Sequence, residues 1–291
     1  MRRKERSIRP AGWPPHVATF PAPAKLNLDL RITGRRSDGY HNLETVFCLI
    51  GLYDTVGLAV RRDGQIRLHT PTQGVPPEQD LVCRAAASLK QVSGVTVGVD
   101  IWLYKNIPMG GGLGGGSSDA ATVLMALNRL WGCHFSREQL MEVGLKLGAD
   151  VPFFIFGRSA FAKGVGEQLC DMKIPEQWYV VVKPDVHVNT AAIFSHQDLT
   201  RDSKPSIMPT FLSLQPFRND MQAVVLKEFP QVAQAFKVLS QYGQVRMTGS
   251  GASVFLTSPE KSQAEATCHR MAEIYQSYCV AGLSQHPLLN I

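Results

Sequence analysis

The sequence predicts an α+β protein that is built from two lobes. Segments with strand-type alternation and segments with helix-type spacing of apolar residues are interleaved along the chain, and no regular βαβ unit repeats. Hydrophobic residues make up 44% of the 291 residues, which is enough to form two moderate cores. We therefore expect two packed units of mixed secondary structure.

Strand signals dominate the first hundred residues. Apolar and polar residues alternate from Leu26 to Thr33, and a typical turn sequence follows from Ser37 to Gly39. Further strands are predicted at Leu43–Leu52, Thr55–Val60, Gln65–His69 and Val95–Leu103. Helical spacing over Asp80–Lys90 predicts one helix in this part of the chain, with Asp80 as its N-cap.

Two helices are predicted in the middle of the chain. Apolar residues recur at helical spacing from Ala120 to Trp131, and Gly132 is a typical C-terminal signal. The residues that are expected to cap this helix are Ser117, Ser118 and Asp119. Ser136 and Gln139 form a capping box, which predicts a second helix through about Leu147.

The last third of the chain again mixes strands and helices. A buried strand is predicted at Trp178–Val182, and a polar segment with prolines, Gln197–Pro216, predicts a loop. The remaining predicted elements are helices over Asp220–Glu228, over Pro230–Tyr242 and from Pro259, and strands over Gln244–Met247, Ala252–Leu256 and Tyr278–Ala281.

Six of the seven residues from Gly110 to Gly116 are glycine, and this run joins a predicted strand to a predicted helix. Glycine lets a ligand approach the backbone amides closely, and free amides at the start of a helix attract anions. A flexible linker is the alternative interpretation of this composition. The run lacks the Gly-Lys-Ser/Thr ending of a P-loop, and no Rossmann fingerprint accompanies it. It therefore predicts a phosphate-binding loop of another type.

Composition narrows the classes of partner. Four of the six net positive charges lie in the first ten residues, so the rest of the chain is close to neutral and nucleic acid is not an expected partner. No run approaches the length of a membrane span, and we expect no membrane partner. We expect residues 1–18 to form a disordered basic extension, with an organelle transit peptide as the alternative.

Three separated segments resemble the motifs of the GHMP small-molecule kinases, in the same order. They are Pro21–Leu28, Pro108–Ala121 and Thr248–Ala252. The segments Thr33–His41 and Leu147–Phe154 extend this similarity to members whose acceptor carries a cytidine diphosphate. The resemblance implies a two-lobed GHMP kinase fold. A ribosomal-protein-S5-like ATP-binding lobe would span 19–163, and a ferredoxin-like α/β-plait lobe would span 164–291.

The resemblance also implies a reaction, in which ATP phosphorylates the 2-hydroxyl of 4-diphosphocytidyl-2-C-methyl-D-erythritol in the non-mevalonate isoprenoid pathway. Lys25 and Asp150 match the catalytic pair of the family. Lys25 would stabilise the charge of the transferred phosphoryl group, and Asp150 would accept the hydroxyl proton. Taken alone, Lys25 is better explained as a snorkelling lysine at a strand edge and Asp150 as a residue that caps a turn, and the resemblance at both positions reverses this preference.

The family implies two further sets of residues. Its nucleotide-binding positions correspond to Pro108, Met109, Gly110, Gly111, Gly112, Leu113, Gly114, Gly115, Gly116, Ser117 and Ser118. Lys105, just before the loop, is a further candidate beside the adenine or the phosphates, with a solvated lysine as the alternative. The family's substrate-binding positions correspond to Asn27, Tyr40, His41, Phe194, Thr248 and Gly249. In the family the tyrosine stacks on cytosine, the histidine bonds the edge of the base, and the second aromatic residue lies on the other face.

The expected co-substrate is ATP with Mg²⁺, for which the sequence identifies no ligands. We expect a monomer or a weak homodimer in the cytoplasm of a bacterium, with the plastid stroma as the alternative. Two other functions stay open at this point. One is a GHMP kinase for a different alcohol, such as homoserine or mevalonate, and the other is a non-catalytic nucleotide-binding protein.

Overall fold

The computed structural model describes residues 9–72, 74–206 and 214–290, which form two β-sheets with helices packed against them. The first sheet has six strands in the order β3-β4-β2-β5-β6, with β1 paired to β2. These strands are β1 (Ala18–Arg35), β2 (His41–Arg61), β3 (Ile66–Leu68), β4 (Gly98–Tyr104), β5 (Ala160–Lys163) and β6 (Gln168–Asp171). All neighbours are antiparallel except β3 and β4.

The hairpin of β1 and β2 is longer than the sequence predicted. The two strands expected at 43–52 and 55–60 are one continuous strand, β2. The strand β1 begins well before the predicted start at Leu26, because one face carries a long row of buried apolar residues. This row consists of Ala22, Ala24, Leu26, Leu28, Leu30 and Ile32. Three register shifts let the long hairpin bend.

Four helices accompany the first sheet: α1 (Leu81–Ser93), α2 (Gly115–Leu130), α3 (Arg137–Leu145) and α4 (Val151–Phe156). The predicted N-cap Asp80 and the predicted capping box of α3 are both present. The predicted caps of α2 are wrong, because the helix begins at Gly115 and its N-cap is Gly114. Asp119 instead lies inside the helix, where it is buried and pairs with a lysine.

The second sheet has four antiparallel strands in the order β10-β7-β9-β8. Its strands are β7 (Trp178–Lys183), β8 (Val245–Met247), β9 (Val254–Ser258) and β10 (Gln276–Ala281). Its helices are α5 (Thr190–Ser195), α6 (Gln222–Glu228), α7 (Pro230–Leu239) and α8 (Lys261–Ala272). This strand order, with helices between β7 and β8 and between β9 and β10, is the predicted ferredoxin-like plait.

The two sheets share a hydrophobic core. Leu26 and Leu28 of the first sheet belong to the same buried cluster as Tyr179, Val181 and Phe255 of the second. The strand β1 therefore lies at the junction of the two lobes. The predicted boundary between 163 and 164 stays a prediction, and β6, which follows it, pairs with β5 in the first sheet.

Four short elements were not predicted from sequence, namely α4, β5, β6 and α5. Each has four to six residues, which is too short for a period to be recognised. Residues 1–8 of the predicted extension lie outside the described residues. Its described part is packed rather than disordered, since Val17 is buried and Trp13 lies against Gly57 of β2. Among the described helices, none is long and apolar enough to cross a membrane.

A buried histidine near the C-terminus makes the fold sensitive to acid. The side chain of His286 accepts a hydrogen bond from the amide of Leu288 at 3.0 Å, and its own amide donates to the carbonyl of Gly157 at 2.8 Å. Burial, together with the nearby Arg137, lowers the pKa of His286 from 6.5 to about 3. Between these values the unfolded chain binds a proton that the folded chain rejects.

We therefore expect the free energy of unfolding to fall as the pH decreases below 6.5, by up to about 1.4 kcal/mol per pH unit from this group. The variant His286→Asn keeps a hydrogen-bond acceptor but does not titrate, so its loss of unfolding free energy between pH 6.5 and pH 5 should be smaller by roughly 1.6 kcal/mol. Urea unfolding at several pH values measures the difference. The variant of the exposed His16, His16→Asn, serves as control, and parallel curves for His286→Asn and the wild type would contradict the prediction.

Candidate active site

The three segments that the sequence singled out are joined by hydrogen bonds. The amide of Lys25 donates to the carbonyl of Leu113 at 3.0 Å. The hydroxyl of Thr248 accepts a hydrogen bond from the amide of Asn27 at 2.9 Å and lies 3.3 Å from the carbonyl of Gly112, to which it donates. In addition, the amides of residues 252 and 253 donate to the carbonyls of residues 110 and 111. The glycine loop is therefore held between β1 and the turn before β9.

Every second residue from Gly110 to Gly114 has a backbone conformation that favours glycine. Gly110, Gly112 and Gly114 have φ values of +66°, +71° and +73°, a conformation that other residues rarely adopt. A Cβ atom on Gly112 would lie 2.3 Å from the carbonyl oxygen of Thr248. Leu113 points inward and is buried. The loop ends at the N-terminus of α2, where free amides favour an anion.

Two cavities meet at this loop. The smaller cavity has a volume of about 340 Å³, and the larger has a volume of about 830 Å³. Gly110, Gly112, Gly114 and Ser117 line both, so the loop forms their common wall. This arrangement suits the transfer of a group from a ligand in one cavity to a ligand in the other.

The residues that were predicted to bind the nucleotide line the smaller cavity, with one exception. Lys105 and all residues from Pro108 to Ser117 line it. Ser118 does not, because it lies on the buried side of α2 and is fully covered. The prediction for Ser118 is therefore wrong as a direct contact.

Lys25 and Asp150 lie together in the larger cavity. The ammonium of Lys25 is 3.3 Å from Oδ2 of Asp150, and the lysine side chain is only 4% exposed. Asp150 stands at the N-cap position of α4, but its carboxylate accepts no hydrogen bond from that helix and is 32% exposed. These facts contradict both the snorkelling lysine and the aspartate that merely caps a turn. The exposed carboxylate is available to a ligand in the cavity.

A buried polar chain orients Lys25. Its ammonium donates to Oδ1 of Asn27 at 2.6 Å, and the side-chain amide of Asn27 donates to the hydroxyl of Thr45 at 2.8 Å. That hydroxyl donates to the carbonyl of Asp29 at 2.6 Å. The ammonium also lies 5.3 Å from the centre of the Phe47 ring. No sequence pattern distinguished Thr45, which is one of many threonines in predicted strands.

Of the predicted substrate residues, five line the larger cavity and one does not. Asn27, Tyr40, His41, Phe194 and Gly249 line it, whereas Thr248 is fully buried behind the loop. The role of Thr248 is therefore to join β1 to the loop rather than to contact a ligand. This corrects the prediction for Thr248.

The far end of the larger cavity is aromatic. The rings of His41 and Phe194 are stacked, with centroids 4.9 Å apart and planes inclined by 22°. One face of Phe194 is therefore covered by His41, and a base that stacks on Phe194 must use the other face. Tyr40 is 65% exposed at the rim.

Arg201 fixes the protonation of His41. Its guanidinium donates to Nε2 of His41 at 3.2 Å and also to the carbonyls of Phe194 and His196 at 2.8 Å each. Burial lowers the pKa of His41, and the charges of Arg201 and Arg35 lower it further. Its Nε2 is thus an acceptor, and the proton of the neutral ring lies on Nδ1. Arg201 falls in the segment that was predicted to be a loop, where no pattern distinguished it.

Comparison with known proteins agrees with this geometry. The family descriptions "GHMP kinases N terminal domain" and "GHMP kinases C terminal" match residues 80–158 and 208–277. The 4-diphosphocytidyl-2-C-methyl-D-erythritol kinase of Neisseria meningitidis serogroup A is 60% identical over 94% of this chain and 97% of its own length. The enzyme of the same name from Chromobacterium violaceum is 52% identical, with the same coverage of both chains.

Solved structures show the same relationship. A crystal structure of 4-(cytidine 5'-diphospho)-2C-methyl-D-erythritol kinase superimposes with a TM-score of 0.79 and 31% identity, covering 91% of this chain and 99% of the other. Homoserine kinase from Cytophaga hutchinsonii has a TM-score of 0.66 at 16% identity, covering 93% and 96%, and shares the fold. The chain belongs to the 4-diphosphocytidyl-2-C-methyl-D-erythritol kinases, a branch of the GHMP kinase family.

Proposed function

We propose that the protein transfers the γ-phosphoryl group of ATP to the 2-hydroxyl of 4-diphosphocytidyl-2-C-methyl-D-erythritol, giving the 2-phosphate and ADP in the non-mevalonate isoprenoid pathway. The observation that carries the proposal is the ion pair of Lys25 and Asp150 in a cavity that shares the glycine loop with a second cavity. Phosphoryl transfer needs donor and acceptor to be held in line. The relatives whose names state this acceptor support the choice of substrate.

In this proposal the smaller cavity holds ATP. Amides of the loop and of the first turn of α2 would donate to the phosphates. The positive φ values of alternate glycines orient these amides without any side chain in the way. The γ-phosphate would then face the larger cavity across Gly112 and Gly114.

Asp150 would act as the general base. Its carboxylate accepts no bond from α4 and faces the cavity, so it is able to accept the proton of the attacking hydroxyl. Lys25 is held by Asn27 and Asp150 at the point where the transferred phosphoryl group would pass. Its positive charge would stabilise the negative charge that the transition state spreads over the phosphoryl oxygens.

The charge and shape of the larger cavity support an anionic nucleotide-like acceptor. Its lining includes three fixed cations, Lys25, Arg35 and Arg201, against one carboxylate, Asp150. A diphosphate matches this excess better than the single carboxylate of mevalonate or the amino-acid group of homoserine. The aromatic end with the neutral His41, whose Nε2 is occupied by Arg201, suits a flat base that offers an acceptor to Nδ1.

Mg²⁺ is expected to accompany the phosphates of ATP, where it would neutralise charge and orient the terminal phosphate. Among the described residues, no group of three or more His, Cys, Asp or Glu side chains could hold a metal ion. Of the four residues that line both cavities, Ser117 carries a side-chain oxygen. Its hydroxyl would supply one ligand to an ion that keeps most of its ligands from phosphate and water.

All of the residues in this proposal come from one chain, which supports a monomer or a weak homodimer as the working unit. We place the reaction in the bacterial cytoplasm, since the similar enzymes named above come from bacteria.

The direct test measures ADP release from Mg·ATP with four acceptors: 4-diphosphocytidyl-2-C-methyl-D-erythritol, methylerythritol phosphate, mevalonate and homoserine. We expect turnover with the cytidine compound only, because the other three lack the base and the diphosphate that the larger cavity fits. Turnover with mevalonate or homoserine instead would overturn the acceptor but keep the kinase chemistry. Binding of ATP without turnover of any acceptor would support a non-catalytic protein.

The variant Asp150→Asn tests the general base. It keeps the size of the side chain but cannot accept the proton, so we expect kcat to fall about 10²- to 10⁴-fold. The dissociation constant for ATP should stay the same, because Asp150 does not line the smaller cavity. Asp185→Asn, at an exposed aspartate, is the matched control. A kcat within twofold of the wild type would remove Asp150 from the role of base.

The variant Gly112→Ala tests the contact between the loop and Thr248. Gly94→Ala is its control, because Gly94 has nearly the same φ (+70°) but no atom within 4 Å of the added methyl group. Both should lose about 1–2 kcal/mol of stability from the positive φ. Only Gly112→Ala should also lose catalysis, by about 100-fold in kcat/KM, since it displaces the loop. Steady-state kinetics and urea unfolding separate the two effects, and equal kinetics in both variants would contradict this account.

A further inference from the structure

A cluster of three charged residues lies at the wall of the smaller cavity, which Lys105 and Asp119 help to line. Asp54 belongs to β2, Lys105 follows β4, and Asp119 belongs to α2. Asp54 and Asp119 are 0% and 2% exposed. The ammonium of Lys105 contacts Oδ2 of Asp54 and is 2.6 Å from Oδ2 of Asp119. The cluster thus ties three elements of the first lobe together.

The other oxygen of Asp54 holds the backbone that enters the glycine loop. Its Oδ1 accepts hydrogen bonds from the amides of Asn106 and Ile107, at 2.6 Å and 2.7 Å. These residues directly precede Pro108, the first residue of the loop segment. A Cβ atom on Gly115 would lie 3.3 Å from Oδ2 of Asp54. One carboxylate therefore lies against both ends of the loop.

Lys105 is fully engaged in this cluster. Burial lowers its pKa, but the charges of Asp119 and Asp54 outweigh burial and raise it overall, so the lysine stays charged. Burial raises the pKa of Asp119 well above its usual value, the charge of Lys105 opposes this, and the charge of Asp54 adds to it. The cluster therefore pairs one ammonium with two carboxyl groups. Both ion-pair contacts of the Lys105 ammonium are thus made to carboxyl oxygens of the cluster.

We propose that Asp54 is a positioning residue for nucleotide binding. Its carboxylate holds the backbone before the glycine loop and the ammonium of Lys105, so that the loop amides are placed to meet the phosphates. Lys105, which we expected to contact the nucleotide directly, acts through this network. The inference rests on the proposed function, because it assigns ATP to the smaller cavity. It goes beyond that function by naming what sets the loop in place.

The decisive experiment is a double-mutant cycle on ATP binding with Asp54→Asn, Lys105→Met and the double variant. In Asp54→Asn, the oxygen still accepts from the two amides, but the new NH₂ group faces the ammonium, and two donors conflict. We expect the dissociation constant for ATP to rise about tenfold or more. In Lys105→Met the buried charge of Asp54 is left unpaired, and we expect a similar loss.

The double variant removes both conflicts, since the asparagine keeps its acceptor toward the amides and no ammonium opposes its NH₂ group. Its affinity for ATP should therefore lie closer to the wild type than that of either single variant. If Lys105 instead bound phosphate directly, the losses would add, and the double variant would be the weakest. That result would overturn the proposal, as would wild-type affinity in Asp54→Asn.

Two further measurements distinguish a positioning role of Asp54 from a general loss of structure. The dissociation constant for the cytidine acceptor should stay within about twofold in all variants, because the cluster does not line the larger cavity. Asp100→Asn is the matched control, since Asp100 pairs with Arg61 between the same two strands, outside both cavities. Equal loss of both ligands would mean a structural role only.

If Asp54→Asn alone does not fold, the comparison of Lys105→Met with the double variant still decides: recovery in the double variant supports positioning, and a further loss contradicts it. Absence of ATP binding by the wild-type protein would instead overturn the proposed function itself.

Discussion

The contact between Gly112 and Thr248 is the constraint on which the rest of the site depends. These residues are far apart in sequence, yet the hydroxyl of Thr248 bridges the carbonyl of Gly112 and the amide of Asn27. Any side chain at Gly112 would collide with the carbonyl of Thr248. The contact therefore sets the distance between the loop and β1, and with it the distance between the phosphate cradle and Lys25.

The strand β1 carries the chemistry because both of its faces are buried. Its apolar face packs between the two sheets, and its other face presents Lys25, Asn27 and Asp29 to the larger cavity and its surroundings. Burying a lysine is unfavourable unless it is paired and hydrogen-bonded, and here Asn27 and Asp150 supply those partners. The free-energy cost of burying the Lys25 ammonium indicates that this group is held in place for catalysis rather than for stability. Lys105, at the wall of the smaller cavity, is likewise paired with the buried carboxylate of Asp54.

The sequence was most informative where local pattern and chemistry coincide. The glycine loop, the capping box of α3 and the pair Lys25 and Asp150 were all predicted, because each lies in a short run of residues that few other structures require. Ser118 and Asp119 were placed wrongly as helix caps, since only the three-dimensional structure shows that α2 begins at Gly115. Arg201 contacts a residue more than a hundred positions away, and Thr45 contacts one about twenty positions away. No local sequence pattern encodes such contacts.

The central claim is that the acceptor hydroxyl meets the γ-phosphate of ATP between Lys25, Asp150 and the glycine loop. A crystal structure of the protein with a non-hydrolysable ATP analogue and 4-diphosphocytidyl-2-C-methyl-D-erythritol tests it most directly. The account predicts the 2-hydroxyl within about 3 Å of the Asp150 carboxylate, and the terminal phosphate against the loop and Lys25. A 2-hydroxyl that lies outside hydrogen-bond reach of Asp150, or a nucleotide bound outside the smaller cavity, would contradict the account.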